Sequence, residues 1–307
     1  MQKNLKRTML KRALKRFWPL YLMMIPGFLY LLVYRYGPML GISLAFQDYR
    51  ITRSVFKSPF VGFDNFEALF RNPNFGMIVS NTIIISLMKI AFGFPAPILL
   101  AVMLNDLRNT RIKRILQTMY YLPHFISWIV IGNLVFAFIA PNSGAFSHVY
   151  MRLTGKPQLD IMMNPEAFRP LLVITDIWKE CGWSSIIYLA TITSIDPTLY
   201  EAAVMDGANH GQQMQYITLP SLVPTIMTML LLRVGHIMSA GFDQIWVLQN
   251  DMVYKVSEVL DTYIYKVSFL ENKPSLGAAS GLFTGVIGLV MVILTNKFAG
   301  HFDQGVL

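Results

Sequence analysis

Asp176, Lys179 and Glu180 fall at i, i+3 and i+4 inside RPLLVITDIWKECGWSSIIYLATI, a mostly apolar segment. On a helix these positions are neighbours, so Lys179 can pair with Asp176. Counted from Arg169, they lie roughly 10–17 Å along a helix rising about 1.5 Å per residue. Charges inside apolar spans are costly and mark functional sites by default. Trp178, Trp183 and Tyr188 interleave with them. Aromatic faces beside charged groups suit sugar recognition. The same residues also suit a self-neutralised pair facing other helices, with tryptophans at the membrane interface. Arg233 lies in another apolar stretch, and the nearest downstream acid is Asp243. It can line a cavity and meet a substrate carboxylate, or bridge to another span or subunit. Asn133 and Gln244 are further candidates for a substrate path.

Residues for bond-making chemistry are missing around them. The only Gly-Lys, Gly155-Lys156, lacks the upstream glycine of a nucleotide-binding G-x-x-x-x-G-K-[ST] loop. The five histidines form no HExxH, and Cys181 is the only cysteine, which excludes an internal disulfide or CxxC site. His124, beside Pro123, reads as a helix-break or polar-packing residue. The sequence therefore predicts no catalytic residue, no metal site and no cofactor held by this chain.

The elements that must position these groups belong in lipid. The chain is 54% apolar and 14% charged, with a mean hydropathy of +0.47; soluble domains carry about 25% charged residues. Six stretches are long enough to span a bilayer: 20–46, 77–104, 115–140, 170–193, 221–247 and 276–296. Pro26, Gly27, Pro38, Gly93, Pro95, Pro97 and Pro123 predict kinks. The first apolar stretch resumes after Arg35, too long for a signal-peptide core of about 7–15 residues, and reads as an uncleaved span. We divide the chain into a basic tail, 1–16, and one transmembrane domain, 17–307.

Seven basic residues in the first sixteen, and Arg108, Arg111, Lys113 and Arg114 in loop 105–114, place both segments in the cytoplasm. Six spans then put both termini and loop 194–220 there too. Loops 47–76, 141–169 and 249–275 face outside. Their Tyr49, Phe56, Phe60, Phe63, Phe66, Tyr254, Tyr263 and Tyr265 suit either an interfacial belt or a docking surface. In the last span Gly277, Gly281 and Gly285 recur at i, i+4, i+8, a stripe for close helix packing within the chain or against another subunit.

Loop 194–220 breaks the charge rule. It holds Asp196, Glu201 and Asp206 and no Lys or Arg, which argues against phosphate binding and hence nucleic acid. Asp196-Pro197 is a helix start. Residues 197–205 predict a short helix, Gly207 a turn, and about 208–217 a second short helix leading through Pro220 into the fifth span.

The string EAAVMDGANHGQQMQYITLP resembles the EAA loop of ABC-importer permeases, with Met214 where many relatives carry Phe. YYLPHFISWIV, GFDQIWVLQN and DTYIYKVSF are similar to the polysaccharide-type, LplB-like permeases of the carbohydrate-uptake branch. The resemblance covers most of residues 17–300. It implies an all-α membrane fold of type I ABC-importer permease, with six transmembrane helices and a cytoplasmic coupling helix. It implies a multi-pass subunit of the cytoplasmic (inner) membrane that moves oligo- or polysaccharide and is not itself an enzyme. Its partners would be a second, homologous permease, two ATPases holding ATP and Mg²⁺, and an extracytoplasmic solute-binding protein. Glu201 would pair with a basic residue of the ATPase. Ala202 and Ala203 would allow close packing and Gly207 the bend, with Asp206, Ile217, Leu219 and Pro220 completing the motif. Basic residues inside spans favour acidic chains such as alginate or pectin fragments. The alternatives are an ABC permease for another solute class, or an ion-coupled secondary transporter, for which inverted repeats would be expected.

Overall fold

The computed structural model describes residues 2–140, 144–154 and 161–300, with backbone alone at 2–15, 154 and 298–300. The tail side chains up to Lys15, Gly155-Lys156 and residues 301–307 lie outside the described residues. Among those described the chain is helical, with one isolated bridge, Gln47–Phe60, and no strand.

Helix α1 (Gln2–Leu31) runs through Pro19 and Pro26 without ending. The winding changes nearer Pro38: a π turn, Leu32–Tyr36, passes into a 3₁₀ helix, Gly37–Phe46. The Gly37 amide reaches back to the Leu32 carbonyl, a wider turn that accommodates proline's missing donor. Residues 16–40 are exposed on every face, and only the 3₁₀ part packs on the last helix.

After α2 (Asp64–Phe70), α3 (Phe75–Met88) continues through a π turn, Lys89–Gly93, into α4 (Pro95–Asp106). Pro95 and Pro97 supply no amides, and the wide turn that results leaves Lys89 buried. The span expected over 115–140, with a kink at Pro123, is broken outright. α5 (Thr110–Tyr121) and α6 (Trp128–Ile139) meet at 104° across a 3₁₀ turn, Leu122–Phe125. Pro123 starts the break and the Ser127 hydroxyl, accepting from the Val130 amide, caps α6. Carbonyls freed there accept from Lys179. α7 (Ala145–Thr154) follows.

Helix α8 (Pro165–Thr193) is the central strut. It packs on α4, α5 and α11, with Tyr188, Leu189 and Ile192 against Ala101 and Leu222. Lipid tails are as apolar as leucine, so close approach rather than hydrophobic burial holds such helices. Gly182 gives that approach: a Cβ there would run into the Tyr120 backbone. Gly182→Val should destabilise the fold by about 1–3 kcal/mol through overpacking, read as a lower thermal midpoint in detergent. An unchanged midpoint would contradict this contact.

Next come α9 (Pro197–Met205), α10 (His210–Gln213), a π turn, Met214–Thr218, and α11 (Leu219–Gly235). The helix expected over 221–247 does not form as one piece. α11 ends at Gly235, and α12 (Phe242–Leu248) begins after Gly241, whose φ is +101°, a region that favours glycine. A buried lysine satisfies one carbonyl of the broken backbone: Lys89 Nζ donates to the Ala240 carbonyl at 2.9 Å. The Ser239 hydroxyl donates to Asp261 Oδ2 at 2.9 Å.

The chain closes with α13 (Tyr254–Ser257), α14 (Leu260–Tyr265), a π turn, Lys266–Leu270, and α15 (Pro274–Gly300). Tyr263, expected in an interfacial belt or on a docking surface, is instead core, packed with Leu260 and Val267. Gly277 abuts Ser268 and Gly288 the Gly235 carbonyl, so these two serve packing within the chain. Gly281 and Gly285 face a cleft shared with Pro38, Gly41 and Ile42.

Four helical stretches among the described residues are long and apolar enough to cross a membrane, five if the bent pair counts as one. α8, at 29 residues, is long enough, but Asp176, Lys179 and Glu180 fall in every window of its length that could qualify.

Candidate functional site

A cavity of about 460 Å³ lies between the α3–α4 junction, α8 and α11. Asp176, Glu180, Trp183 and Tyr188 reach it from α8, and Arg233 and His236 from the end of α11. The helical period places Asp176, Glu180 and Trp183 on one side of α8, four and three residues apart.

The pairing read from sequence is not the one formed. Lys179 does not pair with Asp176, because it points to the α5–α6 break. There it donates to the His124 carbonyl at 2.5 Å, lies 3.5 Å from Glu180 Oε1, and sits 5.7 Å from the Trp128 ring centre. His124 joins the same cluster, its Nδ1 2.7 Å from Glu180 Oε2 and its ring stacked on Trp183 at 4.5 Å. His124 thus combines break and packing, and backs the cavity-wall residues Glu180 and Trp183.

Asp176 is taken by Lys89, a residue that sequence reasoning missed. Lys89 is 4% exposed and donates to Asp176 Oδ1 at 3.0 Å, to the Ala240 carbonyl and to Gln244 Oε1. Gln244 in turn donates to the Leu172 carbonyl and the Thr175 hydroxyl. One lysine thereby ties α3, α8 and the 236–241 break. Its sequence signal was plain: a single charge in NTIIISLMKIAFGF, costly in a span unless partnered. Arg233 meets the other carboxylate oxygen, Asp176 Oδ2, at 3.6 Å and stays about half exposed. Of the remaining candidates, Gln244 is buried behind the cavity, while Trp178, Asp243 and Asn133 are exposed elsewhere. The cavity offers an indole face, two neutralised carboxylates and one exposed guanidinium, a set for binding a polar, ring-bearing solute.

A second feature projects at the far end of α8. Asp196 caps α9, accepting from the Thr198 amide at 3.0 Å, and these bonds hold its carboxyl below the usual range. The cap is therefore present at neutral pH and lost as pH falls through that lowered pKa. Gly207, at φ +80°, ends α9, with the Ala208 amide donating to the Ala203 carbonyl. Asn209 and Gln212 form a capping box. The second short helix expected over 208–217 is not separate. The chain stays helical from His210 to Gly235, because the π turn at Met214–Thr218 accommodates Pro220. Glu201, Ala202, Asp206 and Gly207 are exposed, as are Leu219 and Pro220, with Ala203 and Ile217 half-buried. Glu201 makes no hydrogen bond or ion pair among the described residues, and Val204 and Met205 are open to solvent. His210 Nε2 lies 3.1 Å from Asp106 at the end of α4.

Residues 93–307 match a family described as binding-protein-dependent transport system inner membrane component. The chain is 40% identical to protein LplB of Bacillus subtilis over 292 residues, 95% of this chain and 92% of that one. It is 39% identical to the polygalacturonan/rhamnogalacturonan transport system permease protein YteP of the same organism, over 97% of this chain and 92% of that protein. The fold matches a crystal structure of a bacterial ABC transporter involved in the import of the acidic polysaccharide alginate. The TM-score is 0.87 and the identity 38%, over 95% of this chain and 98% of the other. A structure of the alginate transporter in complex with an alginate pentasaccharide-bound periplasmic protein matches equally, at 0.87, with 37% identity.

Proposed function

The chain belongs to the family of binding-protein-dependent transport system inner membrane components, and we propose from that premise a division of labour within it. It is the permease subunit of a carbohydrate ABC importer with a type I permease fold, and is not an enzyme. In our reading α8 and the bent α5–α6 pair each cross the membrane, which brings the count to six spans, with both termini and the α9 end in the cytoplasm. The substrate is an oligo- or polysaccharide, as the names of YteP and of the alginate transporter give for those proteins. It passes along the cavity wall formed by Trp183, Glu180 and Arg233. A second permease, two ATPases that hold ATP and Mg²⁺, and a solute-binding protein complete the assembly. No bond is broken on this chain.

Helix α9 and its Gly207 turn form the EAA coupling element. The observation that carries this is geometric. An exposed handle with an unpaired carboxylate and bare Val204 and Met205 joins a helix that runs unbroken from His210 to the cavity wall at Arg233. Motion of the handle reaches the cavity through one rigid rod. A cysteine placed at Met205, 87% exposed, tests it. It should cross-link to the ATPase and not to the solute-binding protein, with the half-buried Cys181 as background. Cross-linking to the binding protein would reverse the orientation.

A further inference from the structure

The geometry points to Lys89 as the residue that sets the charge of the substrate cavity, although it does not line that cavity. Two carboxylates and one guanidinium face the space: Asp176, Glu180 and Arg233. Each carboxylate is matched from behind by a buried lysine. Lys89 holds Asp176 Oδ1 at 3.0 Å with a side chain 4% exposed. Lys179 lies 3.5 Å from Glu180 Oε1 with a side chain 7% exposed, and His124 holds the other oxygen. His236, also on the wall, directs its Nδ1 to the Leu232 carbonyl at 2.9 Å. Asp261 also faces this region, but from beyond the 236–241 break, where the Ser239 hydroxyl donates to its Oδ2 at 2.9 Å.

Arg233 is then the surplus. Its one ion pair among the described residues is the 3.6 Å approach to Asp176 Oδ2, a carboxylate already committed to Lys89 at shorter range. Arginine does not lose its charge and carries five N–H donors in a planar fork that fits a carboxylate bidentately. With Asp176 neutralised, that fork remains available to an anionic group of the solute. Without Lys89, Asp176 would recover full charge and draw Arg233 into a closed pair. The cavity would lose its positive charge although every wall residue remained. Lys89 is thus a positioning residue for selection of acidic over neutral saccharides, and this rests on the saccharide-permease reading above.

The test uses the full complex in proteoliposomes with saturating binding protein. It compares uptake of a uronic-acid oligosaccharide with that of its carboxyl-reduced, neutral counterpart. Each variant's acidic-to-neutral ratio is divided by the wild-type ratio, so the binding protein's own preference cancels. Lys89→Met should lower the ratio at least about tenfold, the scale of one charge-assisted hydrogen bond. Adding Asp176→Asn to it should restore the ratio, because Arg233 is released again. A purely structural role for Lys89 would not give that rescue. Arg233→Gln should lower the ratio as Lys89→Met does. An unchanged ratio in Lys89→Met, or a lowered ratio that the double variant fails to restore, overturns the assignment. Should Lys89→Met not assemble, an unchanged ratio in Arg233→Gln overturns it alone. A wild-type complex that moves neither sugar overturns the saccharide reading as well.

Discussion

Gly207→Pro and Glu201→Lys are each expected to lower ATP-driven sugar uptake at least about thirtyfold, while the chain still folds and inserts. The size follows from the interface that our reading gives α9. Reversing one member of a desolvated charge pair costs about 2–5 kcal/mol, and 2 kcal/mol is about thirtyfold. Gly207 acts through backbone. Its φ of +80° is closed to proline, whose ring holds φ near about −65°. Proline also removes the amide that donates to the Val204 carbonyl at 3.0 Å. Both positions are exposed, with open space around the Gly207 Cα, so the damage should stay at the handle. The check is uptake alongside the thermal midpoint. Normal uptake in both variants would remove α9 from the coupling path.

Asp176→Asn is expected to be the most destabilising single substitution in the membrane part. It strips the one ion-pair partner from Lys89, which lies buried among α3, α8 and the 236–241 break. Removing one member of a buried pair costs about 3–5 kcal/mol, because the other charge is left uncompensated. Replacing both members costs far less, so Lys89→Met with Asp176→Asn should recover most of the lost thermal midpoint. A single variant as stable as wild type would show that Lys89 is solvated or paired elsewhere. A double variant no better than the single would show that the two residues do not act as a pair.

How much of this was legible beforehand differs by feature. The α9 handle could be read almost residue by residue, because its signals are local: Asp196-Pro197 starts a helix, Gly207 ends it, and Lys and Arg are absent where topology favours them. The breaks in the third and fifth spans were less legible. Pro123 marked one, but nothing near Gly241 in sequence told of Lys89, 152 residues away, which donates to the broken backbone at Ala240. The charge pairing was misread for the same reason. Spacing on α8 favoured Asp176 with Lys179, whereas tertiary packing gave Asp176 to Lys89 and Arg233, and Lys179 to the carbonyls of a distant turn. Helical spacing says which residues share a face and nothing about which other helix that face meets.

The central claim is that this chain carries a saccharide across the membrane on energy supplied through α9. The most direct measurement is accumulation of a labelled oligosaccharide in proteoliposomes holding the chain with its partner permease and ATPase, with ATP on the ATPase side and binding protein on the other. We expect accumulation that needs ATP, binding protein and an intact Glu201–Gly207 segment together. Accumulation without ATP, or driven by an ion gradient alone, would contradict the account.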